Sequence, residues 1–444
     1  GGCTIKVSAE KTYNCEIIRH ANAETSYSVG STQAYLSERA VERRERQGLK
    51  VDESDLPVCR TYIDAIIGKG ASVVTKSKWN NTVVVEVVDT TLIEQIARLP
   101  FVTKTKKVWT SPDSIPARNP ERRKEVTNKF SKTDNYYGQA YRQIAVHQGD
   151  SLHAAGFKGE GMQIAVIDAG FYNADEMKFF KKMHLLGIRD FVNPQSDIYA
   201  ENYHGMKVLS CLAANQPDVL VGTAPEASDG LLRGEDEDTE QPVEEDYWAA
   251  ALECADSVGV DVVNTSLGYY EFDDKTCNYR YRDLDGHYSL MSHSASMAAD
   301  KGLVVVCSAG NSGRGTWKKL TPPGDAENVI TVGAMDKNLV NADFSSVGNT
   351  ADGRVKPDVM AVGVSSAVAG NDGTVSRANG TSFASPTFCG LVACFWQACP
   401  WLTAKEVIEA VRRSADRADA PDNIYGYGVS NIWKAYQTEL KKRK

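Results

Sequence analysis

Met162-Gln163-Ile164-Ala165-Val166-Ile167-Asp168-Ala169-Gly170 is an apolar run closed by a carboxylate and a glycine, and its reading as a buried strand decides the fold. Met162 to Ile167, Val260 to Asn264, Leu303 to Ser308 and Val329 to Val332 share this character: short, rich in Val and Ile, and ended by Asp, Gly, Asn or a small polar residue. Continuous rather than alternating apolar character marks strands covered on both faces. With helical stretches between them, they predict a doubly wound, mostly parallel α/β sheet with helices on both faces. Ligands bind at the carboxyl ends of the strands in such sheets. Asp168 ends the first strand, Ser266-Leu267-Gly268 follows the second, and Ser308-Ala309-Gly310-Asn311 closes the third. Three polar or backbone-rich segments therefore meet at one edge.

A serine belongs with them. In Gly380-Thr381-Ser382-Phe383-Ala384-Ser385-Pro386 a glycine-loosened loop turns into a helix, predicted from Ser382 to Gln397, that is apolar nearly all round; such a helix is buried. A serine hydroxyl becomes a nucleophile only with a base, an orienting carboxylate and an oxyanion donor in reach. His204 opens another apolar helical stretch, running to Ala214. The other histidines, His20, His147, His153, His184, His287 and His293, sit in polar or loop-like surroundings that offer no nameable partner. The chain order Asp168, His204, Ser382 is one of the few known for a catalytic triad.

Ile164 to Gly170, His204-Gly205, Ser308 to Asn311 and Gly380 to Pro386 together resemble the signature segments of the subtilisin-like serine peptidases, and Asn264-Thr265-Ser266-Leu267-Gly268 is similar to that family's substrate-binding strand. The resemblance covers about residues 140–435, including Phe344 to Gly348 and Lys356 to Val359. From Leu36-Ser37-Glu38-Arg39-Ala40 onward the wording looks most like subtilases of the Bacteroidetes. It implies a subtilisin-like fold and a serine endopeptidase working through an acyl-enzyme. Ser382 would attack, His204 would move the proton, Asp168 would fix the imidazole, and Asn311 with the Ser382 N–H would bind the oxyanion. Ser266, Leu267, Gly268, Ser308, Ala309 and Gly310 would hold substrate. Met206 and Lys207 stand where the family has other residues, which keeps a peptide-binding pseudoprotease in view. A transpeptidase or macrocyclase on the same triad needs a lid that excludes water. Ala169, in place of a common Ser or Thr, and Ala361-Val362-Gly363 are further departures.

With 444 residues, 42% of them hydrophobic, the chain is long enough for about two domains. Residues 58–109 alternate a helical stretch Tyr62 to Ile67, β-rich Ser72 to Lys76 and Thr82 to Val88, helical Leu92 to Leu99, and Val102 to Trp109. Residues 1–110 thus read as a small α+β domain, 111–139 as an exposed linker with Pro112, Pro116 and Pro120, and 140–444 as the larger domain. By the resemblance, the first domain is a propeptide that acts as an intramolecular inhibitor, and the chain cuts itself between Thr110 and Tyr137.

A net charge of −8 argues against general affinity for nucleic acid. Ten acidic residues and one basic residue, Arg233, lie between Glu226 and Asp246, and eight Lys or Arg lie between Phe101 and Phe130. Both read as solvated faces; a sharper reading draws the basic linker toward the acidic segment. No apolar run approaches the roughly 20 residues of a membrane span. The ten cysteines have no C-x-x-C pair: Cys211, Cys254, Cys307, Cys389 and Cys394 read as buried thiols, and Cys3 with Cys15 as a disulfide. Gly2-Cys3 also fits the end of a lipid-anchor signal, and the expected setting is extracytoplasmic. Asn215-Gln216-Pro217-Asp218 is too short and too poor in oxygen ligands to assign calcium, so no metal or other cofactor is assigned.

Overall fold

The structure, a computed structural model, describes residues 3–9, 27–110 and 123–444. The first unit holds helices α1 (Glu38–Arg46), α2 (Arg60–Ile67) and α3 (Thr91–Ala97). Its strands are β1 (Cys3–Ala9), β2 (Ser72–Ser77), β3 (Thr82–Val87) and β4 (Val102–Thr110). The strands form an antiparallel sheet in the order β2-β3-β1-β4. Val83, Val85 and Val87 pack on Ile63, Ile66 and Ile96 of the helices. Sequence reading passed over β1 and α1. α1 is too polar to show a stripe, yet two of its arginines, Arg43 and Arg44, are buried. The proposed Cys3–Cys15 pairing falls outside the residues whose side chains are described.

The second unit is built on β5 (Gln163–Asp168), β6 (His184–Asp190), the short hairpin β7 (Asn215–Gln216) and β8 (Leu220–Val221), β9 (Ser228–Arg233), β10 (Val262–Thr265), β11 (Val304–Ser308), β12 (Ile330–Met335) and β13 (Val359–Val362). Apart from the hairpin, these form one seven-stranded sheet, β13-β12-β11-β10-β5-β9-β6, in which each neighbouring pair is parallel. The four strands anticipated from apolar runs are β5, β10, β11 and β12, within two residues at their starts. Helices α4 (His204–Ala213), α5 (Val243–Val258), α6 (Leu290–Met297) and α7 (Thr381–Ala398) cover the sheet. Ile164, Val166, Val304 and Val306 pack on the α4 and α7 side, while Ala165, Ile167, Val263 and Val305 pack on the α5 and α6 side. Strands read as two-sided by their unbroken apolar character are two-sided in the molecule.

Several expectations change. The acidic stretch is not a solvated face where it enters α5: Glu244, Glu245 and Asp246 are buried in the first helical turn. Glu244 accepts the N–H groups of Asp236 and Gln241, and Glu245 accepts Ser289 Oγ–H at 2.9 Å and Met291 N–H at 3.2 Å. Carboxylates at a helix N-terminus are favoured by its dipole and unpaired N–H groups. His147 and His153 are buried and partnered. His147 bonds the Ser430 carbonyl at 2.8 Å, and His153 bridges the Tyr137 hydroxyl and the Thr223 carbonyl, each at 2.7 Å. Burial lowers both imidazoles to about 4, so they are neutral structural groups. Cys254 is half-buried, whereas Cys211, Cys307, Cys389 and Cys394 are fully enclosed thiols.

From Arg123 the expected linker lies along the α/β body instead of standing free. Arg123 pairs with Asp175, the Thr127 N–H donates to the Asp372 carbonyl at 2.8 Å, and Phe130 meets Phe179 with ring centroids 5.0 Å apart.

Candidate active site

β5 delivers Asp168 to the carboxyl edge of the sheet, where the side chain is fully buried. The backbone then has to turn hard against the segment leading to α4. Gly170 makes this turn at φ +154°, and a Cβ there would sit 2.4 Å from Asn202 N. Gly205 permits the return approach, since its Cβ would lie 2.1 Å from the Gly170 carbonyl and 2.8 Å from Asp168 Cβ. Asn202 Oδ1 accepts the His204 N–H at 2.7 Å, fixing the start of α4. His204 Nδ1 then meets Asp168 Oδ1 at 2.7 Å, and that same oxygen accepts the Ala169 N–H at 2.8 Å. Asp168 Oδ2, also buried, has no hydrogen bond among the described residues.

Three groups that sequence reasoning missed support this pair. Arg233, at the end of β9, is buried; its Nε donates to the Ala169 carbonyl at 3.0 Å while its fork pairs with Asp190 at 3.0 Å and Glu201 at 3.4 Å. A lone arginine inside an acidic run was the available signal. Glu237 accepts from Asn202 Nδ2. Glu235 stands in the field of both Asp168 and His204. Burial, followed by the Asp168 and Glu240 charges, pushes Glu235 up to about 8. Burial would lower His204, but the Asp168 charge and hydrogen bond, reinforced by Glu235 and Glu237, lift it to about 9.

Ser382 lies in the first turn of α7, after Gly380 at φ +151°. It is 7% exposed. Its Oγ donates to the Ser266 carbonyl at 3.3 Å, and Ser266 Oγ donates to the Ser382 carbonyl at 2.8 Å. The Ser382 turn is thereby tied to the segment after β10. Among the described residues Ser382 and His204 share no hydrogen bond; the ring of His204 lies 6.0 Å from that of Phe383, the residue after the serine. Contacts between a serine hydroxyl and an imidazole in a catalytic site are often loose without substrate.

Asn311 is exposed at the end of the loop that follows β11. Its Oδ1 accepts the Thr381 N–H at 2.9 Å and the Thr381 hydroxyl at 2.8 Å. With the oxygen so committed, the NH₂ end is the free half of the amide. Thr381 was another omission, legible only as the hydroxyl beside Ser382. Gly268 and Gly310 face Thr321 from two sides: a Cβ at either would stand 2.3 Å or 2.7 Å from Thr321 Oγ1. The segments Ser266 to Gly268 and Ser308 to Gly310 therefore close on Thr321 with no room for a side chain at either glycine, and the Ala309 and Gly310 N–H groups already donate to the Val332 carbonyl and to Thr381 Oγ1. Of the family departures, Met206 is buried in the core and Lys207 Nζ lies 4.7 Å over the Tyr203 ring. Among the described residues no group of three or more His, Cys, Asp or Glu is placed to hold a metal ion, and no helix is long and apolar enough to cross a membrane.

Comparison with known proteins bears on this arrangement. The Subtilase family profile, of the S8 peptidases, matches residues 159–428. The chain belongs to the subtilase family. The peptidase S8 propeptide domain of Bacteroidota matches residues 17–142, so this subtilase carries its propeptide domain in the same chain. It is similar to the serine protease AprX of Bacillus subtilis, 30% identical over 306 residues, covering 62% of this chain and 65% of AprX. It is 31% identical to subtilisin DY of Bacillus licheniformis over 301 residues, covering 66% of this subtilase and 97% of subtilisin DY. It is 32% identical to the thermophilic serine proteinase of Bacillus sp. strain AK1 over 282 residues, covering 62% of this chain and 61% of that protein. The subtilase thus spans just under two thirds of AprX and of the thermophilic proteinase.

Proposed function

We propose that this chain is a serine endopeptidase made as a self-processing proenzyme. The observation that carries the reading is the 2.7 Å bond from His204 Nδ1 to a buried Asp168, held at the strand-end edge where α7 presents Ser382. In this reading Ser382 Oγ attacks a peptide carbonyl and His204 Nε2 takes its proton, later giving it to the leaving amine. Asp168 keeps the Nδ1–H tautomer and stabilises the imidazolium. Asn311 Nδ2 and the Ser382 N–H receive the developing oxyanion, and collapse of the tetrahedral species yields an acyl-enzyme that water hydrolyses. The backbone walls at 266–268 and 308–310 bind the substrate strand. No metal takes part.

The first substrate is the chain itself. Thr110, at the end of β4, exchanges two hydrogen bonds with the Gln241 side chain, at 2.8 Å and 3.1 Å, and Gln241 follows the acidic segment that bears Glu235 and Glu237. At Arg123 and Lys124 the chain is again beside this edge, since the Lys124 N–H donates to the Tyr172 hydroxyl at 2.7 Å and Tyr172 follows Gly170. Thr110 and Lys124, on either side of the 111–122 segment, are thus tied to the end of the acidic segment and to the turn after Gly170, which supports a cut between them. The setting is extracytoplasmic, in keeping with the secreted mode of action of a proenzyme.

Wild type and Ser382→Ala, expressed side by side and weighed by mass spectrometry, test the reading. The expected result is a wild-type chain shortened by a cut after Thr110, a full-length Ser382→Ala chain, and fluorophosphonate labelling of wild type alone. Full-length wild type that takes up no label overturns it.

A further inference from the structure

The N-terminal unit grips the α/β body at a place remote from Ser382. α5 has 16 residues and therefore extends about 24 Å, with the acidic segment at its start and Gly259 at its end. α1 lies against that far end. Gly259 closes α5 at φ +95°, and Gly302 closes the turn after α6, also at φ +95°. A Cβ on Gly259 would stand 2.7 Å from Arg39 Cβ, and one on Gly302 would stand 3.2 Å from Arg43 Nε. Two helix C-termini thus converge, stripped of side chains, on the arginines of α1. Carbonyls and negative dipole ends at such termini attract cations.

The arginines fill the space they leave. Arg43 donates to the carbonyls of Val260 at 2.6 Å and Lys301 at 3.0 Å and pairs with Asp256. Arg44 bridges Asp256 at 2.7 Å and Asp55 at 2.8 Å. Arg39 reaches the Gly161 carbonyl at 3.0 Å and Asp261 at 2.8 Å. Gln47 donates to the Gly302 carbonyl at 3.0 Å and accepts the Ala404 N–H at 2.9 Å. In return Lys301 of the body pairs with Asp55 at 3.2 Å. Arg43, Arg44, Asp55 and Asp256 are each no more than 1% exposed.

We infer that Asp256, Asp261 and the two glycine-ended helix termini form a guanidinium socket for a helix bearing arginines at positions i, i+4 and i+5, and that this socket retains the propeptide domain on the body after the linker is cut. It stands apart from the cleft, so retention and active-site blockage are separate functions of the domain. Removal of α1 leaves Asp256 without its partners, and truncating one side of a buried charge pair acts mainly on the dissociation rate. Burial also shields these pairs from salt.

The test is independent of the proposed catalysis, because it uses Ser382→Ala in the full chain with a foreign protease's recognition sequence replacing residues 113–118. After that protease has cut, gel filtration and surface plasmon resonance follow the loss of the N-terminal fragment. With α1 intact the fragment co-elutes with the body, in high salt as well. Arg43→Gln/Arg44→Gln raises its dissociation rate by about 30-fold or more. Arg39→Gln, at a side chain 32% exposed and able to fold normally, raises it about threefold or more. Arg98→Gln, whose partner Glu94 lies on its own helix face, leaves the rate unchanged. A fragment that leaves at once with α1 intact, or an Arg39→Gln fragment that leaves no faster, overturns the proposal.

Discussion

Asp168 holds His204 through one oxygen only: Oδ1 takes both the imidazole and the Ala169 N–H, while Oδ2 is buried and has no hydrogen-bond partner among the described residues. The orientation of the base therefore rests on a single acceptor. Asp168→Asn would present an amide in its place and favour the wrong tautomer. A kcat lower by about 10⁴-fold, the size of loss seen in other triads, is expected in a peptide-hydrolysis assay of the mature form.

The acidic surroundings set the pH response. In the proposed mechanism His204 must be neutral to accept the serine proton, and its environment lifts it to about 9. Activity should therefore rise with pH and reach half its plateau on the alkaline side. Glu235→Gln removes a charge that stabilises the imidazolium, so the midpoint of kcat/KM against pH should move down; an unmoved midpoint would show that Glu235 carries no charge there.

Asn311 and Thr381 give a graded pair. Asn311→Leu removes the amide and should cost about 10²- to 10³-fold in kcat, the scale known from the corresponding change in subtilisin. Thr381→Val removes only the hydroxyl that orients Asn311 Oδ1 and bonds the Gly310 N–H at 3.3 Å. It should cost less in kcat and leave KM nearly unchanged. Ser382→Ala should lose about 10⁶-fold, again on the subtilisin scale.

A buried ion cluster supports the sheet beyond the site. Asp358, fully buried, meets Lys356 Nζ at 2.7 Å and Arg412 Nη2 at 2.7 Å and accepts the Thr331 N–H at 2.7 Å. Burial alone would raise its carboxyl, but the Lys356 and Arg412 charges hold it below the ordinary value. Its stabilisation is thus present above the unfolded carboxylate pKa of about 3.9 and is lost as pH falls through the lower folded value. Asp358→Ala should cost about 3–5 kcal/mol in denaturant unfolding at neutral pH.

Asp229 behaves in the opposite sense. It is fully buried on β9, neither oxygen has a hydrogen bond among the described residues, and burial raises its carboxyl well above the ordinary value. The folded chain keeps the proton that the unfolded chain releases near pH 4, so raising the pH from there favours unfolding. Asp229→Asn should flatten the fall in stability between pH 4 and pH 7. A wild-type curve already flat over that range would contradict the assignment.

The sequence made the central sheet legible because a strand buried on both faces has an unbroken apolar run, as in Ile164-Ala165-Val166-Ile167. His204, Asp168 and Ser382 stood out through their order and their places at strand and helix ends. What escaped were contacts between distant segments. Arg233 in an acidic run looked solvated, yet the fold closes three elements around its guanidinium. α1, with seven charged residues among nine, shows no apolar stripe, since the face it buries is made largely of arginine. Glu244 and Glu245 read as surface because the donors that satisfy them come from residues 236, 241, 279, 289 and 291.

α5 meets the N-terminal unit at three levels. Val243 and Tyr247 pack with Val84, Val108 and Trp109; Glu253 accepts Ser77 Oγ–H and the Lys78 N–H at 2.7 Å and 2.6 Å; and Asp256 receives the arginines of α1. The rise of one helix therefore sets the spacing between grips, like the notches of a key. A foreign prodomain must also match that spacing, so compatibility between prodomain and protease is written in large part along one helix of the α/β body.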